Sequence, residues 1–73
     1  MNNSDIISSN SNEFKVRVIV DDLEVKDGPG DTYNTVLHIK DRSDYTITLL
    51  YDNWGRLKSN LGWVDLNKTK RIN

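Results

Sequence analysis

The sequence predicts an all-β domain of five to seven short antiparallel strands closed into one small barrel, with no long helix. Three observations carry that prediction. Several short runs place apolar residues at every second position, the pattern of a half-buried strand, and none repeats at helical spacing for more than a turn. Turn-forming residues interrupt these runs every few positions. A chain of 73 residues with strands this short cannot build two large sheets, so a single barrel is the economical way to hide strand edges.

Residues 1–13 stand apart. Asn2, Asn3, Ser4, Ser8, Ser9, Asn10, Ser11 and Asn12 solvate their own backbone and bury little apolar surface, which reads as a flexible tail or linker. Its isoleucine pair, Ile6-Ile7, is either tolerated in solvent or docks on the domain or a neighbouring chain. The folded domain, residues 14–73, starts where Phe14, Val16, Val18 and Val20 alternate with Lys15, Arg17 and Ile19. Asp21-Asp22 ends that first strand, and Leu23 to Lys26 resumes the alternation for a second. In Asp27-Gly28-Pro29-Gly30-Asp31, Pro29 presets φ for one corner, and Gly30 supplies the positive φ that a type II turn needs next.

Tyr33 leaves that loop, and Val36, Leu37 and Ile39 mark a third strand. Lys40 to Asp44 is a charged turn. Tyr45, Ile47 and Leu49 alternate with Thr46, Thr48 and Leu50, a run whose β-branched content suits a strand. Asp52-Asn53 closes a hairpin into Trp54. From Trp54 to Leu66 a polar, glycine-bearing interruption separates two short alternating runs, a second hairpin that carries both tryptophans. Alternation turns Gly55 and Leu57 inward and Trp54, Arg56 and Lys58 outward. Val64 and Leu66 compete with Trp63 for the core, leaving Trp63 half-buried at its margin, while Tyr45 reads as core. Leu66 to Ile72 supplies a last short strand on the barrel edge.

Composition narrows the function. The absence of cysteine excludes a disulfide framework and thiolate metal sites. Ten Lys and Arg stand against 11 Asp and Glu, so no net positive field attracts a phosphate backbone, and nucleic acid is disfavoured as a partner. No signal sequence is expected, since the N-terminal residues lack a basic start followed by an apolar run, and no apolar stretch here is long enough for membrane insertion. Export or release is therefore expected to come from a parent protein or from cell lysis. The lone histidine, His38, lies between Leu37 and Ile39 without a companion acid or nucleophile at any recognisable spacing. With no zinc, P-loop or nucleophile-elbow motif, neither enzymatic activity nor a cofactor is expected.

Leu23-Glu24-Val25-Lys26-Asp27-Gly28-Pro29-Gly30-Asp31-Thr32-Tyr33, followed by Tyr45-Thr46-Ile47, Trp54-Gly55-Arg56-Leu57 and Gly62-Trp63-Val64-Asp65-Leu66, resembles the motif series of bacterial SH3-like (SH3b) domains. The resemblance covers Phe14 to about Ile72. It departs from the family habit at Lys26, often Arg, at Arg42-Ser43, often a glycine-bearing turn, and at Leu61, usually small or polar. The resemblance implies an SH3-like barrel and a non-catalytic module that binds bacterial cell wall, similar to those of phage endolysins and bacterial autolysins acting on Gram-positive cells. Such a module holds a lytic enzyme against peptidoglycan. Here it is expected either as the C-terminal part of such an enzyme or as a separately produced C-terminal fragment of a phage endolysin, the latter motivated by Met1 followed at once by a linker-like tail.

Wall peptides and glycans are flexible and polar, so a site for them needs flat rings to cover CH faces and acceptors to fix amides. Tyr33, Tyr51, Trp54 and Trp63 supply rings, and Asp27, Asp31, Asp52 and Asn53 supply acceptors near them in sequence. In SH3-like barrels the loop of Tyr33 and the Asp52-Asn53 turn flank one groove. Trp54 is open between ligand contact and local packing, and Tyr51 is open altogether. Leu61, at a hairpin tip, reads either as a single exposed leucine that needs no explanation or, with the tail, as a means of self-association or of contact with a parent lytic enzyme. An alternative reading is a protein-interaction module that captures an extended peptide in an aromatic groove; a nucleic-acid binder on a small barrel is the third.

Overall fold

The computed structural model describes residues 13–72. Most of the expected tail, including Ile6-Ile7, lies outside the described residues. Glu13 belongs to the folded body, where its carboxylate pairs with Lys58 at 3.2 Å.

The domain is all-β. Its strands are β1 (Phe14–Val18), β2 (Leu23–Lys26), β3 (Thr35–Ile39), β4 (Asp44–Tyr51), β5 (Trp54–Leu57), β6 (Trp63–Asp65) and β7 (Thr69–Arg71). All pairings are antiparallel in one seven-stranded sheet of order β3-β2-β6-β5-β4-β1-β7. One turn of 3-10 helix, Leu66–Lys68, links β6 to β7 and is capped by Asp65, whose side chain accepts from the Asn67 N–H. The strands β3 and β7 are the sheet's two edges, so the hydrogen-bonded ring expected of a closed barrel is not completed.

The sheet nevertheless curls on itself. On a flat sheet β1 and β2, four strands apart, would be separated by roughly 19 Å. Yet Val16 and Val18 of β1 share one buried cluster with Leu23 and Val25 of β2, together with Ile39, Ile47, Leu57 and Val64. Phe14, Val20, Tyr45 and Leu66 pack against its margin. The inward alternation expected of β1, β2 and β5 is what fills this core.

Two local expectations are corrected. In β4 a register shift between Ile47 and Leu49 sets Leu49 opposite Arg56 and Leu50 opposite Gly55. The extra residue reverses the alternation, as a bulge does, so Leu49 joins the outer face and Leu50 the inner one. In the Gly-Pro-Gly loop, Gly30 does not take a positive φ, so there is no type II turn. The Gly30 N–H instead donates to the Gly28 carbonyl at 3.0 Å, a γ-turn that suits the fixed φ of Pro29. The need for glycine lies at Gly28, where a Cβ would fall 2.2 Å from the Tyr33 ring.

Charges gather where the β1–β2 connection meets the β3–β4 turn. Arg17 holds Asp44 through two nitrogens at 2.7 and 3.2 Å, and Arg42 holds Asp21 at 2.8 Å. The hydrogen bond from Arg17 lowers the Asp44 pKa. Asp41 accepts from Ser43 Oγ and Tyr45 Oη, each at 2.9 Å, and those bonds lower its pKa. Burial, then the bond to Asp41, raises the Tyr45 phenol. His38 is solvent-facing, but it does have a companion acid: its Nδ1 lies 2.7 Å from Asp22 Oδ1, with Lys40 3.9 Å from the other oxygen of that carboxylate.

Candidate binding face

Side chains of residues directly opposite one another on paired strands point to the same face, so the register fixes which groups share a surface. On the outer face, Trp63 of β6 stands between Lys26 of β2 and Arg56 of β5. Arg56 in turn faces Leu49 of β4. One pair further along, Trp54 stands between Asp65 of β6 and Tyr51 of β4. The result is a short strip with Trp63 and Arg56 at one end and Trp54, Tyr51 and Asp65 at the other, about 7 Å apart along the strand.

Both tryptophans are half-buried on this face. Trp63 is half-buried as expected, but on the outer face and not at the core margin: Val64, fully buried, takes the inward position, and its neighbour in sequence must point outward. Tyr51 is 58% exposed and Leu49 51%. Asp52, the first corner residue of the turn between β4 and β5, has φ 51°, a conformation Asp tolerates better than most residues. Asn53 is held on both sides: its carbonyl accepts from the Leu66 N–H at 2.9 Å and its amide donates to Asp65 at 3.4 Å.

The second group of candidates lies beyond Lys26. Asp27 closes the 27–34 loop by two bonds to Asn34: its N–H donates to the Asn34 carbonyl and its carboxylate accepts from the Asn34 N–H. Tyr33, 48% exposed, lays its ring over Gly28. Asp31 is exposed. The strand directions set this loop and the 52–53 turn at opposite ends of the strip, with both tryptophans between them. They bracket the strip from its ends rather than lining its sides.

The β5–β6 tip belongs to the loop end. Gly62, at φ 145°, sits where a Cβ would come within 2.4 Å of the Lys26 carbonyl oxygen, so the tip rests on the end of β2. Leu61 beside it is exposed. Across from Trp63 the Lys26 side chain, 12% exposed, pairs with Glu24 at 2.8 Å and donates to Thr35 Oγ1 at 2.7 Å. Thr35 Oγ1 donates in turn to Glu24 at 2.9 Å. The bond from Lys26, then that from Thr35, lowers the Glu24 pKa.

A cleft of about 200 Å³ opens elsewhere, on the inner side near the sheet's open end. Phe14, Val16, Leu50, Leu66, Thr69 and Arg71 line it, and none of the eight site residues expected from sequence is among them. The Arg71 guanidinium lies 4.2 Å above the Phe14 ring there.

Two members of the strip escape a reading by sequence. Leu49 is placed there only by the bulge; the adjacent leucines at 49 and 50 are the visible irregularity in the alternation of β4. Arg56 was placed outward by alternation but carried no signal of a binding role. Comparison with protein-family models, with curated proteins and with solved structures finds no match to this chain.

Proposed function

We propose that this domain is a non-catalytic binding module for bacterial cell wall, with the outer strip of β4, β5 and β6 as its contact face. The observation that carries the reading is the placement of Trp54, Trp63 and Tyr51 on one solvent-facing strip, although a domain this small has every reason to use large rings in its core. Half-buried rings on an outer face give up apolar burial and offer flat surface to a ligand. The 27–34 loop adds Tyr33, Asp27 and Asp31 at one end, and Asp52 and Asn53 stand at the other. The SH3b-like motifs contribute most of these residues, which supports peptidoglycan as the target and a lytic enzyme as the parent.

Co-sedimentation with purified sacculi and with intact Gram-positive cells tests the proposal. Wild-type protein is expected in the pellet, and absence from the pellet across several species would remove the wall reading. A proline-rich peptide array run in parallel tests capture of an extended peptide by the same rings, and that outcome would replace the wall reading with an interaction module.

A further inference from the structure

Arg56 is half-buried on the strip, opposite Trp63 on one side and Leu49 on the other, with Trp54 two residues before it on its own strand. Among the described residues, no hydrogen bond or ion pair occupies its guanidinium. The neighbouring carboxylates are already engaged. Asp65 accepts from the Asn67 N–H and the Asn53 amide, and Glu24 is bound by Lys26 and Thr35. A cation partly withdrawn from water beside apolar rings, without a counter-ion among the described residues, is an unfavourable arrangement for the free protein. It becomes favourable once an anion occupies the fork.

We infer that Arg56, between Trp54 and Trp63, binds a single carboxylate of a peptide. The planar fork of the guanidinium matches a carboxylate through two parallel hydrogen bonds, and the flanking rings keep water from screening the pair. The surroundings select against a polyanion. Asp27, Asp31, Asp52 and Asp65 border the strip, so a chain of repeated phosphates gains one contact with Arg56 and meets carboxylates at both ends. A lone carboxylate with neutral flanks meets only the arginine and the rings. The choice of a peptide as the carboxylate's source rests on the wall-binding reading.

The test uses acetyl-alanyl-alanine with a free C-terminal carboxylate, its C-terminal amide, and inorganic phosphate, each titrated into ¹⁵N-labelled protein. The acid is expected to shift the Arg56 Nε–H and both indole N–H signals, with neither amide nor phosphate doing so. Arg56→Gln is expected to abolish the response, and Arg56→Lys to restore only part of it, since the charge returns without the fork. Equal shifts from acid and amide overturn the inference, as do shifts from phosphate as large as those from the acid, or none from any probe. Sacculi separate this result from the wall reading. Arg56→Gln should weaken co-sedimentation about ten-fold or more, the worth of one hydrogen-bonded charge, and amidation of the sacculus carboxyls should weaken wild type equally. Wild type that pellets with sacculi but ignores the acid peptide leaves wall binding standing without the carboxylate site. The converse result leaves the carboxylate site standing without the wall.

Discussion

At the end of the sheet where Asp21, Asp22 and the 40–44 turn meet, each charged side chain has a partner in the same molecule: Arg17 with Asp44, Arg42 with Asp21, His38 and Lys40 with Asp22. On the outer strip of β5 and β6 the arrangement is reversed. There the rings of Trp54 and Trp63 lie outside the core, and among the described residues Arg56 has no counter-charge. The first region has completed its interactions within the fold and has little to offer a ligand. The second holds apolar surface and a cation in reserve, and this contrast, more than any single residue, supports the strip as the proposed binding face.

The largest expected effect of breaking the contrast is on binding. Trp54→Ala should abolish co-sedimentation with sacculi, and Tyr33→Ala should do the same, while the β-type circular dichroism of both stays intact. The double change Asp21→Asn with Arg42→Gln, at the paired end, should leave co-sedimentation unchanged. Loss of binding in that double variant, or retention in both aromatic variants, would move the site away from the strip.

On stability the order is different. Leu57 is 1% exposed, and Leu57→Ala should cost about 2–5 kcal/mol in urea denaturation, a large share of what so small a domain possesses. Its folded fraction should still bind wall. Gly62→Ala comes next, because φ 145° and the nearby Lys26 carbonyl each oppose a side chain; a loss of about 1–3 kcal/mol is expected.

Acid and alkali probe the paired end together with Glu24 beside the strip. Asp44, Asp41 and Glu24 have folded pKa values below their ordinary ones. Their contribution to stability is therefore present above the unfolded carboxylate values near about 4 and is lost as pH falls through the lowered folded values. Tyr45 is raised, so its contribution is present below about 10 and is lost as pH climbs through the higher folded value. A melting-temperature profile should be flat between these limits and fall on both sides; a fall already at neutral pH would contradict this assignment. Arg17→Ala should give the smallest effect, a shift in melting temperature near the limit of measurement, because water screens an exposed pair.

Alternation made the strands, the inward row of Val16, Val18, Val25, Leu57 and Val64, and the outward placement of Trp54 and Arg56 readable from sequence. It failed at β4, since one extra residue reverses every side chain after it; Leu49 therefore reached the strip unannounced. For Trp63 it gave the core to Val64 and the half-burial of the ring, but not the outer face on which that ring lies. The partner of His38 lies 16 residues away at Asp22, a contact made by the pairing of β2 with β3 and by no local spacing. That Arg56 has no partner among the described residues was equally invisible, because it is a property of the assembled surface.

The most direct measurement of the central claim is a ¹⁵N–¹H spectrum of the protein recorded with solubilised sacculus fragments. The strip predicts that perturbed signals cluster at Tyr51, Trp54, Arg56 and Trp63, extending to Tyr33 in the adjoining loop. Perturbations centred instead on Phe14, Leu50 and Arg71 around the inner cleft, or on the paired Asp21–Arg42 end, would contradict it.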